Sequence, residues 1–175
     1  MANLPVPNPR TFIPGVFEAG AYLNSVRDAL NFLLNPPTAK VIQNTPQSIP
    51  NAILTALSFD ATTFDTYGGH SNSTNNSRYT AQVPGTYLVF GSVGFSANAT
   101  GSRVIQVYKN GSGITDTQDW FPNDASNPSS DLVATQVPMV AGDYVELFAY
   151  QTSGGALSTQ VNGPQSSMNV LWVHA

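Results

Sequence analysis

Cysteine is absent from the 175-residue sequence, and charged residues are scarce. The lack of cysteine excludes a disulfide framework, thiolate zinc sites and cysteine nucleophiles. Charged side chains make up 9% of the chain, where an ordinary soluble domain has about a quarter. With 6 Lys and Arg against 10 Asp and Glu, the net charge of −4 offers no positive surface to a nucleic acid or an anionic membrane.

Long apolar runs are also missing. No stretch approaches the ~20 apolar residues that span a bilayer, and the first residues lack the basic and apolar regions of a signal peptide. We therefore expect no membrane insertion and no export through a signal peptide. This expectation favours a virus particle or the cytoplasm as the location.

Three segments of the chain differ in composition and in predicted structure. Residues 1–20 carry Pro5, Pro7, Pro9 and Pro14, which fix φ and remove backbone donors, so this segment is predicted to be an extended arm. Residues 21–37 are predicted to form a helix followed by a Pro-Pro linker. Residues 38–175 are predicted to form one β domain.

The helix is predicted over residues 21–34 because apolar side chains repeat at 3-4-3 spacing. A helix this short is marginal alone in water, so its apolar stripe needs a partner. The partner is either its own domain or two identical helices in a short parallel bundle. The stripe consists of Leu23, Val26, Leu30 and Leu33.

Beyond residue 38 the pattern changes to period two, with turn residues between short β-branched and aromatic runs. An all-β antiparallel jelly-roll sandwich is predicted. Asn110-Gly111 and Gly142 mark two tight turns. The predicted strands cover residues 40–43, 53–59, 77–82, 85–95, 103–109, 132–140, 143–151 and 167–173.

Two strands are apolar on both sides. In residues 143–151, one side carries Val145, Leu147 and Ala149, and the other carries Tyr144, Glu146, Phe148 and Tyr150. Residues 86–95 repeat the pattern, with Tyr87, Val89, Val93 and Phe95 opposite Leu88 and Phe90. A monomeric sandwich normally shows one polar face. This favours a subunit interface with closed symmetry, to which we assign Tyr87, Val89, Phe95, Phe148 and Tyr150 together with the helix stripe.

The segment Tyr79-Thr80-Ala81-Gln82-Val83-Pro84-Gly85-Thr86-Tyr87-Leu88-Val89 resembles the C1q/TNF-like superfamily. Its hallmark is an aromatic residue, five residues, then Gly-x-Tyr-x-aromatic, and Val89 replaces the last aromatic. The resemblance covers residues 38–175. It implies a ten-stranded jelly roll that forms a tight homotrimer and binds proteins, glycans or surfaces without catalysis.

The leader Pro9-Arg10-Thr11-Phe12-Ile13-Pro14-Gly15 and the helix after it resemble the N termini of structural proteins of tailed bacteriophages that infect actinobacteria. This resemblance implies an arm that docks on the virion through Arg10, Phe12, Ile13 and Phe17. The head would then face outward on the particle surface, after assembly in the host cytoplasm.

No catalytic or metal-binding motif is recognised, and no cofactor is expected. His70 and His174, the two histidines, lie near no partner at metal-ligand spacing. Residues 116–131 form a predicted acidic loop that could supply oxygen ligands to Ca²⁺, which some C1q-like heads hold. The candidates for surface recognition are His70, Asp119, Trp120, Phe121 and Asp124.

The sequence thus predicts a non-enzymatic bacteriophage virion protein, a homotrimer acting as a minor tail or fibre-tip protein in host attachment. Its partners would be other virion proteins and a host surface glycan or protein. A capsid decoration protein at three-fold positions, a glycan depolymerase and a cellular ligand unrelated to phages are the alternatives.

Overall fold

A computed structural model describes residues 19–175 of the chain. Its one helix, α1 (Ala19–Leu34), starts two residues before the predicted span and ends where predicted. The last turn closes with the Asn35 amide donating to the Asn31 carbonyl at 3.0 Å. Two prolines then stop the helix, because neither can donate the next backbone hydrogen bond.

Thirteen strands and a short 3₁₀ turn (Thr115–Thr117) follow within the described residues. The strands are β1 (Thr38–Ile42), β2 (Ser48–Ile49), β3 (Thr55–Ala56), β4 (Ala61–Asp65), β5 (Arg78–Thr80), β6 (Gly85–Phe95), β7 (Arg103–Lys109), β8 (Ser112–Gly113), β9 (Asp119–Phe121), β10 (Ser129–Met139), β11 (Tyr144–Gln151), β12 (Leu157–Ser158) and β13 (Ser167–His174).

The strands build a sandwich of two antiparallel sheets. The five-stranded sheet has the order β10-β6-β13-β1-β4, and the six-stranded sheet has the order β3-β11-β7-β8, with β5 also paired to β11 and β9 to β7. A small β12-β2 pair lies apart. The predicted all-β jelly roll with one preceding helix is confirmed.

The predicted turns are also confirmed. Asn110 and Gly111 have φ of 49° and 79°, the positive values that a tight hairpin between β7 and β8 requires. Gly142 has φ of 95° in the turn from β10 to β11. This turn carries the chain from the five-stranded sheet to the six-stranded sheet.

The core lies between the sheets. Val145, Leu147 and Ala149 of β11 point into it, as their alternation predicts. Tyr87 of β6 is fully buried, and its hydroxyl donates to the Val83 carbonyl at 2.6 Å. Burial raises the pKa of Tyr87 to about 12, because the phenolate form would lose its hydration.

Several short strands were not predicted. Strand β4 has one large apolar residue, Phe64, and pairs with β1 across an irregular register between Lys40 and Val41. Strand β9 lies inside the predicted acidic loop. Conversely, the predicted strand over residues 53–59 is reduced to β3. Pairing at sheet edges depends on neighbours distant in sequence, so local pattern does not reveal it.

Candidate interaction surfaces

Helix α1 is attached to the β domain through Phe32. This side chain is 7% exposed, and its ring packs edge-on against Trp172 of β13 with 4.8 Å between centroids. A second edge contact joins Phe32 to Tyr67 at 6.3 Å. The predicted stripe did not include Phe32, because the residue falls between its leucines in the 3-4-3 spacing.

The predicted helix stripe lies mostly outside this contact. Leu23, Leu30 and Leu33 are each more than half exposed, whereas Val26 is partly covered. Within residues 19–175, the stripe is therefore not the surface that holds the helix to its own domain. Its assignment to a bundle of identical helices stays a prediction.

Three residues assigned to the subunit interface lie in the core instead. Tyr87, Val89 and Phe95 are fully buried between the two sheets of a single chain, so they cannot contact a second chain, and their assignment was wrong. The reason is strand parity: on β6 the longer apolar row is the one that fills the core, and Leu88 and Phe90 occupy the outer side.

The outer side of the five-stranded sheet carries a patch that we call the leucine face, formed by Leu88, Phe90, Leu132 and Leu171. Leu88 of β6 and Leu171 of β13 are directly paired across the sheet. Leu132 of β10 is 57% exposed and Leu171 is 37% exposed. Because Leu171 is also paired with Thr38, the first residue of β1, this face begins where α1 joins the sheet.

The outer side of the six-stranded sheet carries a different patch, which we call the aromatic face. The rings of Tyr108 and Phe148 lie 3.9 Å apart between centroids. Trp120 and Tyr150 meet edge-on at 6.4 Å. Tyr144 completes the row on β11. Phe148 and Tyr150, the other strand residues assigned to the interface, are partly exposed here, and that assignment stays a prediction.

An ion pair lies among these rings. The Arg78 guanidinium carbon sits 4.0 Å from the centroid of the Tyr144 ring, and Arg78 Nε lies 3.8 Å from Glu146 Oε1. The Ser77 hydroxyl donates to the same carboxylate oxygen. Glu146 is 5% exposed, so its charge is balanced locally by Arg78 and Ser77 rather than by solvent.

The residues predicted to form one recognition patch around Trp120 separate in the structure. Trp120 is 58% exposed on the aromatic face, whereas Phe121 is buried, with its ring centroid 6.2 Å from that of Phe95. Phe121 was therefore wrongly placed at the surface, because consecutive strand residues point to opposite sides. Asp119 and Asp124 are exposed.

Asp124 of the predicted acidic loop is hydrogen-bonded within its own turn. Asp124 Oδ1 accepts the backbone amides of Ser126 and Asn127 at 2.7 and 3.0 Å, and these hydrogen bonds lower the pKa of Asp124. Over residues 19–175, no three His, Asp or Glu side chains come close enough to hold a metal ion. The Asp124 carboxylate therefore stabilises the turn in which it lies.

His70 braces the loop that it belongs to. Its ring nitrogens lie 2.9 Å from the Arg78 carbonyl and 3.1 Å from the Phe59 carbonyl, and its amide donates to Asp65 Oδ2. Both ring nitrogens face internal acceptors, so the structure argues against His70 as a recognition residue. The predicted docking residues Arg10, Phe12, Ile13 and Phe17 lie outside the described residues.

A buried arginine that sequence reasoning missed fixes the end of the sandwich near Trp120. Arg103 is fully buried and donates to the carbonyls of Asn98, Thr100 and Ser102 at 2.9 to 3.2 Å. Desolvation lowers the pKa of Arg103. The local sequence gives no signal for this role, since the carbonyl cage exists only in the folded loop.

Comparison with known proteins identifies one viral relative. An uncharacterized protein, L688, of Acanthamoeba polyphaga mimivirus is 28% identical over an alignment of 148 residues that covers 74% of this chain. This chain spans 62% of that relative's length. No protein-family model matches the sequence. In the part of the chain that the structure describes, no helix is both long and apolar enough to cross a membrane.

Solved structures share the architecture more clearly than the sequence. The globular domain of zebrafish complement 1qA has a TM-score of 0.53 and 14% identity, covering 79% of this chain and 98% of its own. Murine APRIL has a TM-score of 0.58 and 10% identity, covering 78% and 98%. The β domain therefore has the C1q/TNF-like jelly-roll fold, as the sequence resemblance predicts.

Proposed function

We propose that this protein is a non-enzymatic structural component of a bacteriophage particle, a homotrimer that displays its jelly-roll domain on the particle surface. In this proposal it is a minor tail or fibre-tip protein and contributes to host attachment. The distant viral relative, the C1q/TNF-like fold and the phage-like leader sequence support the proposal from three directions.

The observation that carries the proposal is the exposed apolar surface of a single chain. Leu23, Leu30 and Leu33 of α1 and Leu132 and Leu171 of the leucine face are exposed. Leu171 pairs with Thr38, the residue that follows the Pro36-Pro37 linker. Exposed apolar side chains grouped on a folded chain indicate a protein interface. We assign the trimer contacts to the helix stripe and the leucine face.

The solution mass of the full chain tests this assignment. Light scattering should give three times the 18.6 kDa of one chain. Leu171→Asp should give a folded protein of one-chain mass, because a buried charge at the interface opposes association. Phe148→Asp is the matched variant on the aromatic face and should remain trimeric.

Two outcomes would contradict the assignment. A monomeric parent chain would remove the homotrimer from the proposal. Dissociation by Phe148→Asp, with the trimer intact in Leu171→Asp, would restore Phe148 and Tyr150 as the interface predicted from the sequence and would free the leucine face.

Capsid decoration is a second candidate, and the length of α1 favours it. The 16 residues of α1 make a rod about 24 Å long, which is short for a fibre shaft and suits a head seated close to a shell. A particle reconstruction decides between the two sites. Density for the trimer at the tail supports host attachment, whereas density at capsid three-fold positions supports decoration.

In either location, we propose that residues 1–20 form the docking arm. Deleting them should leave the head folded and trimeric but abolish its incorporation into particles. The measurement is a comparison of the protein content of particles assembled with the full chain and with the shortened chain. Incorporation of the shortened chain at the normal level would show that the arm is not the anchor.

A further inference from the structure

We propose that the aromatic face is a carbohydrate-binding surface for a neutral glycan. This inference deepens the proposed function, because it rests on the head being displayed where it meets a host envelope. The binding platform is centred on Trp120 and Tyr150, and Tyr108, Tyr144 and Phe148 extend it along the sheet.

The first argument is the chemistry of the exposed groups. Trp120 Nε1 and the hydroxyls of Tyr108, Tyr144 and Tyr150 form no hydrogen bond with any group of residues 19–175. Each of these four rings thus presents an apolar surface beside a solvent-accessible polar tip that is free to bond a ligand. Sugars carry the matching pair of features, C–H faces that pack on rings and hydroxyl groups that accept or donate hydrogen bonds.

The second argument is charge. The charged pair among these rings, Arg78 and Glu146, is mutually compensated, and Glu146 is buried. Within the described residues, no unpaired cation lies among these rings, and the exposed charged neighbour of Trp120 is the acidic Asp119. A phosphate-rich or strongly anionic polymer therefore finds no free positive group to pair with. The match is therefore to an uncharged, hydroxyl-rich partner.

The third argument is contrast with the leucine face. Leu88, Leu132 and Leu171 have no polar tips and suit a dry protein interface. The aromatic face, with its polar tips, suits a wet contact with a hydrated ligand. Along β11, Tyr144 and Tyr150 are six residues apart, or about 20 Å, so the platform fits an oligosaccharide rather than a single sugar.

Rigidity favours the same use of the surface. Trp120 is held edge-on to Tyr150, and Phe148 packs on Tyr108, so the rings lose little freedom when a ligand binds. Preorganised side chains bind more tightly than flexible ones, because less conformational entropy is lost. The hydrogen-bonded Arg103 loop supports the strand end that carries Trp120's partner, Val104.

Screening the full-length trimer on an array of neutral and anionic oligosaccharides tests the inference. We expect binding to neutral glycans. Trp120→Ala should weaken the bound glycan's affinity at least about tenfold, as truncation of an aromatic anchor does. Phe64→Ala is the matched control, because Phe64 is a 44% exposed aromatic on the other sheet, and it should leave affinity unchanged.

Tryptophan fluorescence gives a second readout. The chain has two tryptophans, the exposed Trp120 and the buried Trp172. Titration with the glycan found on the array should shift the emission of Trp120. Trp120→Phe should abolish that shift while retaining binding within about tenfold of the parent, because the ring surface remains.

The inference fails if the trimer binds no neutral glycan on the array, if it binds only anionic ones, or if Trp120→Ala binds as the parent does. It also fails if Phe148→Asp dissociates the trimer, since the aromatic face would then be covered by protein. If the protein has the mass of three chains and enters particles but binds no glycan, this inference alone is wrong. If it neither has that mass nor enters particles, the proposed function is wrong.

Discussion

The two outer faces of the sandwich are both apolar, but they differ in kind. The leucine face consists mainly of aliphatic side chains without polar atoms, whereas the aromatic face combines rings with hydroxyl and indole N–H groups. Both lie on the solvent side of well-formed sheets within one chain. An apolar outer strand therefore does not by itself identify a subunit interface, because the atoms at the tips of the side chains decide which partner fits.

The largest effect on folding is expected from a charge placed in the core, compared with the same charge placed on the leucine face. Val89 and Leu88 are neighbours on β6, and Val89 is fully buried while Leu88 is outside. Val89→Asp should cost on the order of 5 kcal/mol, enough to prevent folding of a marginally stable domain. Leu88→Asp should fold, but as a monomer.

Near-ultraviolet circular dichroism shows whether each of these two variants is folded. Size-exclusion chromatography with light scattering gives the mass of each. The assignment of the two sides of β6 would be inverted if Val89→Asp gave a folded monomer and Leu88→Asp failed to fold. If both variants remained folded and trimeric, neither side of β6 would contribute as the structure indicates.

A smaller effect is expected from a comparison of the side of α1 that packs on the β domain with the side that is exposed. Phe32→Ala removes the ring that packs on Trp172 and should weaken helix docking by about 3–5 kcal/mol. In a Trp120→Phe background, where Trp172 is the remaining tryptophan, the tryptophan emission should move to longer wavelength because Trp172 becomes hydrated.

The matched variant is the next residue. Leu33 is 63% exposed, so Leu33→Ala should leave Trp172 emission unchanged while weakening trimer association on dilution. Equal red shifts in the two variants would show that the helix does not dock specifically through Phe32.

The smallest effect concerns the corner that joins the two sheets. Asp143 accepts hydrogen bonds from Asn110 Nδ2 and the Val140 amide, and Lys109 Nζ lies 3.0 Å from Asp143 Oδ2. These interactions lower the pKa of Asp143 to about 2, from 3.8. The ionised carboxylate therefore stabilises the folded chain above about pH 4, and this contribution is lost as pH falls towards 2.

Asp143→Asn should consequently reduce stability at pH 7 by less than about 1 kcal/mol, since the corner is partly exposed and solvent screens its charges. The variant should also show a smaller decrease in melting temperature between pH 4 and pH 2 than the parent. Parallel pH profiles for parent and variant would show that Asp143 does not contribute to acid sensitivity.

The sequence predicted most of the fold because its long strands carry strong local patterns. Strands β6 and β7 match the predicted spans, and Asn110-Gly111 adopts the predicted hairpin conformation. The short strands β4 and β9 were missed, since their pairing partners come from distant parts of the chain. Local propensity is a weak guide at such edges.

The candidate surfaces were predicted less well. Trp120 was identified as a surface residue, but Phe121 and Tyr87 were placed on the wrong side of their strands. Leu88 was recognised as opposite Tyr87, yet alternation alone does not say which of two apolar rows faces the core. Tyr108 joined the aromatic face only through the pairing of β7 with β11.

The all-β architecture, the position of the helix, the tight turns and the low content of charged residues follow from the sequence alone. These follow from periodicity, turn chemistry and composition, which are local properties. The tertiary structure decided which apolar row is core, that Phe32 holds the helix, and that five aromatic side chains from three strands share one face. Burial and proximity depend on strands far apart in the chain, so only the packed sandwich specifies them.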